Sequence, residues 1–140
     1  MSDRHFDDVI EYIVSKDPRY KKDAYYFVRE ALDYTQSLVS KKTKKPVRHV
    51  TGQQLLEGIR EFALRQFGPM AITVLNDWGI YRCEDFGEIV FNMVDYSLLS
   101  KTEKDSKDDF KCGYDFYEAF CKPFKPEHIN FEKNSIQQNL

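Results

Sequence analysis

Residues able to carry chemistry on their own are scarce in this sequence. It holds only three cysteines, Cys83, Cys112 and Cys121, an odd number with no CxxC pair. That excludes a disulfide framework and predicts reduced thiols in a cytosolic protein. Cys112, Cys121 and His128 match no zinc-ligand spacing, so neither a metal nor another cofactor is expected. No apolar run approaches the roughly 18 residues of a membrane span, and no apolar signal core opens the chain. The expectation is a soluble cytoplasmic protein with no membrane partner. A glycine-rich phosphate loop, a nucleophile elbow and an HExxH helix are all missing. No catalytic residue can be assigned by motif, and the sequence leans away from an enzyme.

An excess of positive charge is missing too. Lysine and arginine number 21 against 23 aspartates and glutamates, for a net charge of −2. The split is uneven: residues 1–50 hold eleven basic and eight acidic side chains, and residues 51–140 hold ten and fifteen. A dedicated nucleic-acid binder usually shows a clearer basic excess. What the chain has in quantity is apolar and aromatic surface, 41% hydrophobic and 15% aromatic. In 140 residues that is enough for one globular core.

The apolar residues fall at helical spacing. Phe6, Val9, Ile10, Ile13 and Val14 form one stripe, and Asp17-Pro18-Arg19-Tyr20 interrupts it. A second stripe runs from about Asp23 to Val39 through Phe27, Val28, Ala31 and Thr35, giving an antiparallel helix pair over residues 1–40. Thr51-Gly52-Gln53-Gln54 has the form of a capping box and opens a helix bearing Leu55, Leu56, Ile59, Phe62 and Ala63. Gly68-Pro69 stops that helix and starts a short apolar one, Met70 to about Asp77. Gly79 stops the second, and Asp85-Phe86-Gly87-Glu88 reads as another box with Asp85 at the N-cap. Tyr96 to Thr102 and Phe110 to Cys112 read as two strands around a charged turn. Asp115 to Phe120 makes a last helical turn before Pro123.

The predicted fold is therefore mainly α (α+β with a small β hairpin). An N-terminal antiparallel helix pair packs on a compact three-helix, winged-helix-like unit. The expected boundaries are a single domain over 1–122 (1–40 and 47–122) and a flexible tail over 123–140. The helix starting near Asp85 would be the recognition helix, yet its exposed residues include Glu84, Asp85, Glu88 and Asp95 with no cation, and such a face repels phosphates.

Several words of the sequence go together: Asp17-Pro18-Arg19-Tyr20, Glu30-Ala31-Leu32-Asp33-Tyr34-Thr35, His49-Val50-Thr51-Gly52-Gln53, Phe67-Gly68-Pro69-Met70-Ala71, Trp78-Gly79-Ile80 and Cys83-Glu84-Asp85-Phe86-Gly87-Glu88. On these, from about Phe6 to Phe120, the chain resembles a family of uncharacterised bacterial proteins of about this length. That family has no assigned activity, so the resemblance implies no catalytic residues.

Three functional classes are open on the sequence. A cytosolic protein-interaction or scaffold module without catalysis fits the missing motifs best. A nucleic-acid-binding regulator would use the basic loop Lys41, Lys42, Lys44, Lys45 and Arg48, although a solvated loop after a helix C-terminus has the same composition. An enzyme of dispersed residues would centre on His49, Asp77 and Arg82. His49 precedes a helix N-terminus that favours anions, and Asp77 sits at a helix end that disfavours it, which suggests Arg82 as its partner. Trp78 either fills core space or anchors a partner. His49, Asp77, Trp78 and Arg82 are thus the candidate ligand or partner contacts.

Overall fold

Several helix ends fall where the sequence supplies a physical reason. In the computed structural model, which describes residues 3–47, 49–111 and 113–124, α1 is Asp3–Lys16 and α2 is Lys22–Thr43. Pro18 forces the turn between them. The pair is antiparallel: Lys22 meets Glu11 at 3.2 Å, while Tyr26 donates to Asp7 and packs its ring on Phe6. Residues 125–140, which include nearly all of the expected tail, lie outside the described residues.

The capping box at Thr51 forms as expected. Thr51 Oγ1 accepts from the Gln54 N–H at 3.1 Å, and Gln54 Oε1 accepts from the Thr51 N–H at 2.8 Å. It opens α3, Gly52–Phe67. Gly68, at φ 53°, ends α3, and Pro69 sits in the 3-10 turn Gly68–Met70 that leads into α4, Ala71–Asp77. Gly79 then turns the chain at φ 93°, a conformation that L side chains resist. Space excludes a side chain there as well, because a Cβ on Gly79 would lie 2.2 Å from the Arg19 carbonyl oxygen. The Lys21 N–H donates to the Trp78 carbonyl at 3.1 Å, so the α4 end is clasped against the α1–α2 turn. The last α-helix among the described residues, α5, is Cys83–Asp95.

α2 and α3 meet at the closest helix contact. Gly58 lies directly on Thr35, and a Cβ at Gly58 would fall 1.7 Å from Thr35 Oγ1. That hydroxyl is held by its bond to the Ala31 carbonyl, 2.7 Å. Around this contact one core cluster gathers Ile10 and Ile13 from α1, Tyr25 and Val28 from α2, Leu56 and Ile59 from α3, Leu75 from α4, and Phe86, Ile89 and Met93 from α5. Phe110, Phe116 and Phe120 close it from the C-terminal side. α4 is less enclosed than its composition predicts: Ala71 and Leu75 are buried, whereas Met70 beside it is 56% exposed.

The hairpin, and with it the winged-helix order, is absent among the described residues, where no strand occurs. The residues expected to form the first strand instead terminate α5 and turn the chain back. The Leu98 N–H donates to the Met93 carbonyl at 2.8 Å and the Ser97 N–H to Val94 at 3.0 Å, with Ser97 at φ 64°. This is a Schellman ending with serine in the left-handed position where glycine is usual. The charged turn closes on its own side chains: Asp105 accepts from the Thr102 N–H at 2.8 Å, and around the 3-10 turn Lys107–Phe110 Asp109 accepts from the Ser106 N–H at 3.1 Å while Ser106 Oγ accepts from the Asp108 N–H at 3.0 Å. Local side-chain bonds to the backbone thus replace a ladder.

One further expectation changes. α5 starts at Cys83, so Asp85 occupies its first turn and is not the N-cap; its carboxylate accepts from the Tyr81 and Arg82 N–H groups at 2.8 and 3.2 Å. Gly87 lies close against the Phe110 ring, which a Cβ there would meet at 3.0 Å. Asp115 does cap the last turn, accepting from the Glu118 N–H at 3.1 Å. That turn, Tyr117–Cys121, is π-helical and runs into a 3-10 turn, Lys122–Phe124, that contains Pro123.

Candidate functional site: an apolar cleft beside a basic loop

A concavity lies between the N-terminal end of α3, the middle of α2 and the C-terminal half of α5. Its volume is about 250 Å³. Leu32 comes from α2, Val50 and Leu55 from the entry into α3, and Val90, Phe91 and Val94 from α5. The Schellman turn matters here because it reverses the chain after α5 and brings Leu98 and Leu99 to the same wall. Phe110 closes one end. Its ring is wedged between Gly52 and Gly87, two glycines where a Cβ would meet it at 3.4 and 3.0 Å. The floor is therefore apolar and set by helices, and its shape depends on small residues at two positions.

The mouth is polar. His49 Nε2 lies 2.9 Å from Asp105 Oδ2, with the imidazole 42% exposed and the carboxylate 15%. Burial raises the Asp105 pKa, but the Thr102 N–H and the His49 ring outweigh it, so the carboxyl titrates below its ordinary value. Asp109, also at the mouth, accepts from the Ser106 N–H at 3.1 Å. Both carboxylates are thereby fixed in turns. Lys101 lies on the rim and donates to the Thr102 carbonyl at 3.3 Å. The first turn of α3 also opens here, through Thr51 and Gly52.

The basic loop leaves from one end of this cleft. Gln36 lines it, and Lys41 comes five residues on, about 7.5 Å further along the α2 axis. α2 ends at Lys44 in a left-handed cap, φ 59°. The Val47 N–H returns to Ser40 Oγ at 2.9 Å, which draws the loop back toward Val50. Lys41, Lys42, Lys44 and Lys45 are all exposed, and none pairs with a carboxylate among the described residues. Arg48 lies outside the described residues.

The four residues grouped by sequence do not assemble. Asp77 pairs with Lys21 at 3.3 Å, both well exposed, and not with Arg82. Asp77 does meet a cation at its unfavourable helix end, but that cation comes from the α1–α2 turn clasped beside it. Arg82 is exposed. Trp78 is half-buried against Phe27 and Phe67, with centroids 5.5 and 5.8 Å apart, which is a packing role. Of the four, His49 alone lines the cleft.

A second polar cluster joins the α1–α2 turn to α5. Asp17 accepts from Arg19 Nη2 at 2.7 Å and from Asn92 Nδ2 at 3.0 Å, and Asn92 also donates to Tyr25 OH at 3.0 Å. Arg19 and Lys107 both reach Glu88 Oε1 at 3.2 Å. The bond from Arg19 holds the Asp17 carboxyl well below the usual carboxylate range against the opposing effect of burial. Tyr20 OH donates to Asp85 at 2.7 Å, and burial first, then that bond, pushes the phenol above its ordinary value. Every member bonds another, and the cluster ties the Lys107–Phe110 wall of the cleft to the rest of the fold.

No family model, curated protein or solved structure matches this chain. What the molecule does must be argued from the cleft.

Proposed function

We propose that this protein is a non-catalytic protein-interaction module whose recognition surface is the cleft between α2, α3 and α5. One observation carries the reading: an apolar floor, formed by Leu55, Val94 and Leu98, stands open to solvent within a polar rim. Apolar concavities rimmed by polar groups are the usual form of a site for a partner's anchoring side chain. At about 250 Å³ the cleft falls just under the ~300 Å³ at which small-molecule pockets begin. That size suits one large apolar side chain with its flanking backbone. The walls are helical, so little order has to be imposed on binding. Against catalysis, His49 Nε2 is engaged by Asp105, and among the described residues no hydroxyl or thiol is hydrogen-bonded to the ring, as an activated nucleophile would be.

The test is an NMR titration of the ¹⁵N-labelled protein with N-acetyl-leucinamide and N-acetyl-phenylalaninamide, which imitate single anchors. Shifts confined to the backbone around Val50–Leu55, Val94 and Leu98–Lys101 are expected, and they should vanish in Val94→Phe, which fills the floor. Shifts centred on Met70 or Tyr81, the most exposed large apolar residues, would move the recognition surface elsewhere. An absence of shifts at tens of millimolar would end the reading.

A further inference from the structure

We infer that the segment captured by the cleft is acidic: a stretch of a partner protein with an apolar anchor flanked by glutamates or aspartates. The inference rests on the cleft being the recognition surface and adds the charge of its occupant. Lys101 lines the mouth, Lys104 follows three residues on, and Lys41, Lys42, Lys44 and Lys45 lie on the segment that continues from the Gln36 end of the cleft; none of these six pairs with a carboxylate among the described residues. By contrast, most other described lysines are paired: Lys21 with Asp77, Lys22 with Glu11, Lys107 with Glu88, Lys111 with Asp108 and Lys122 with Glu118, while Lys16 lies over the Tyr12 ring.

The carboxylates that line the cleft are Asp105 and Asp109. Both are already engaged through Oδ2, Asp105 by His49 and the Thr102 N–H, Asp109 by the Ser106 N–H. Neither group can turn toward the lysines without breaking those bonds. The lysines are therefore the charges left for a partner to meet. They border an apolar floor, which neither a phosphate backbone nor a wholly polar segment would use. Rim cations of this kind raise the association rate and set the choice of partner, while the apolar anchor holds the complex together.

The probe is a display library of random dodecapeptides, selected on the full chain at low salt. Winning peptides are synthesised with a fluorophore and measured by anisotropy. Acidic peptides bearing Leu, Phe or Trp are expected to win. Their affinity should fall about tenfold or more between 50 and 500 mM NaCl, because screening shortens from about 14 to about 4 Å over that range. It should fall at least as far in the variant Lys41→Glu, Lys42→Glu, Lys44→Glu, Lys45→Glu. These side chains are exposed and support no described ion pair, so a melt matching wild type is the control. Two blocks test the cleft: Val94→Phe from the floor, and Ser100→Trp from an exposed rim position where folding is not at stake.

Neutral or basic winners that both blocks abolish would overturn the acidic assignment and leave the cleft reading intact. Winners indifferent to both blocks, or no winners, would overturn both. Tighter binding of a 20-nucleotide oligothymidine or a 20-base-pair duplex, lost in the four-lysine variant, would assign the loop to nucleic acid and overturn the inference.

Discussion

Gly58→Ala places one methyl group at the closest point between α2 and α3, and its effect can be worked out in some detail. In a solvent-exposed helix the change would stabilise, since alanine is favoured over glycine by about 1 kcal/mol. Here the added carbon would lie 1.7 Å from Thr35 Oγ1, 2.7 Å from Thr35 Cβ and 3.0 Å from Thr35 Cγ2. Rotating Thr35 cannot relieve all three, because its Cβ is fixed by the α2 backbone and its hydroxyl is bonded to Ala31. The helices must separate, and forced overpacking of that kind costs about 3 kcal/mol or somewhat more. The net loss is then about 2 kcal/mol. With an unfolding entropy of about 0.3 kcal/mol/K for a chain of this length, the melting temperature should drop by about 7 °C. Calorimetry on Gly58→Ala, Thr35→Ala and the double variant measures this directly. Removing Oγ1 and Cγ2 relieves two of the three overlaps, so the double variant should be more stable than the sum of the two losses by at least about 1 kcal/mol. A melt of Gly58→Ala at or above wild type would show that the helices are not in contact at this point, and additive losses would show that Thr35 is not the obstacle.

Three more outcomes are expected at particular residues. Gly79→Val combines a positive φ with a contact against the Arg19 carbonyl and should cost at least about 3 kcal/mol, lowering the melt by about 10 °C or more; a small change would mean the α4 corner is not clasped as described. Ser97→Gly should raise the melt by about 2–3 °C, because relief of the left-handed strain exceeds glycine's entropic cost by roughly 0.5–1 kcal/mol, and a lowered melt would refute the Schellman ending. Asp17 has a folded pKa below its unfolded one, so its contribution is present above the unfolded value near pH 4 and is lost as pH falls below it. Asp17→Asn should therefore lower stability at pH 7 and flatten the loss between about pH 4 and pH 2; parallel acid limbs in the two proteins would contradict the Arg19 bond.

The helices were legible because their signals are local. Thr51 with Gln54, Gly68 with Pro69, and Gly79 each act within a few residues, and each does what its chemistry predicts. The segment after α5 was not legible for the same reason turned around. Its ending uses Ser97 where glycine would have announced it, so the alternation from Tyr96 to Thr102 looked like a strand. The Ser106–Asp109 box was available in the sequence as a serine three residues before an aspartate, and it marks the turn that carries Phe110 into the core. The site was harder still. His49 was found because it precedes a helix N-terminus, but its partner Asp105 lies 56 residues away and no spacing connects them. Asp77, Trp78 and Arg82 are neighbours in sequence, but Asp77 pairs with Lys21 of the α1–α2 turn, Trp78 packs on Phe27 and Phe67, Arg82 is exposed, and none of the three lines the cleft with His49. Leu55 and Val94 read as ordinary stripe positions and Leu98 as part of a strand, since a stripe does not reveal that a gap lies above it.

Photo-crosslinking tests the central claim most directly. A library-selected peptide carrying a photo-reactive leucine analogue at its anchor is irradiated with the protein, and the attachment point is found by mass spectrometry. Attachment to Val94, Leu98 or Leu99, abolished by Ser100→Trp, is the expected result. Attachment at Met70, Tyr81 or the Tyr12–Tyr96 pair, or attachment unchanged by Ser100→Trp, would contradict the assignment of the cleft as the recognition surface.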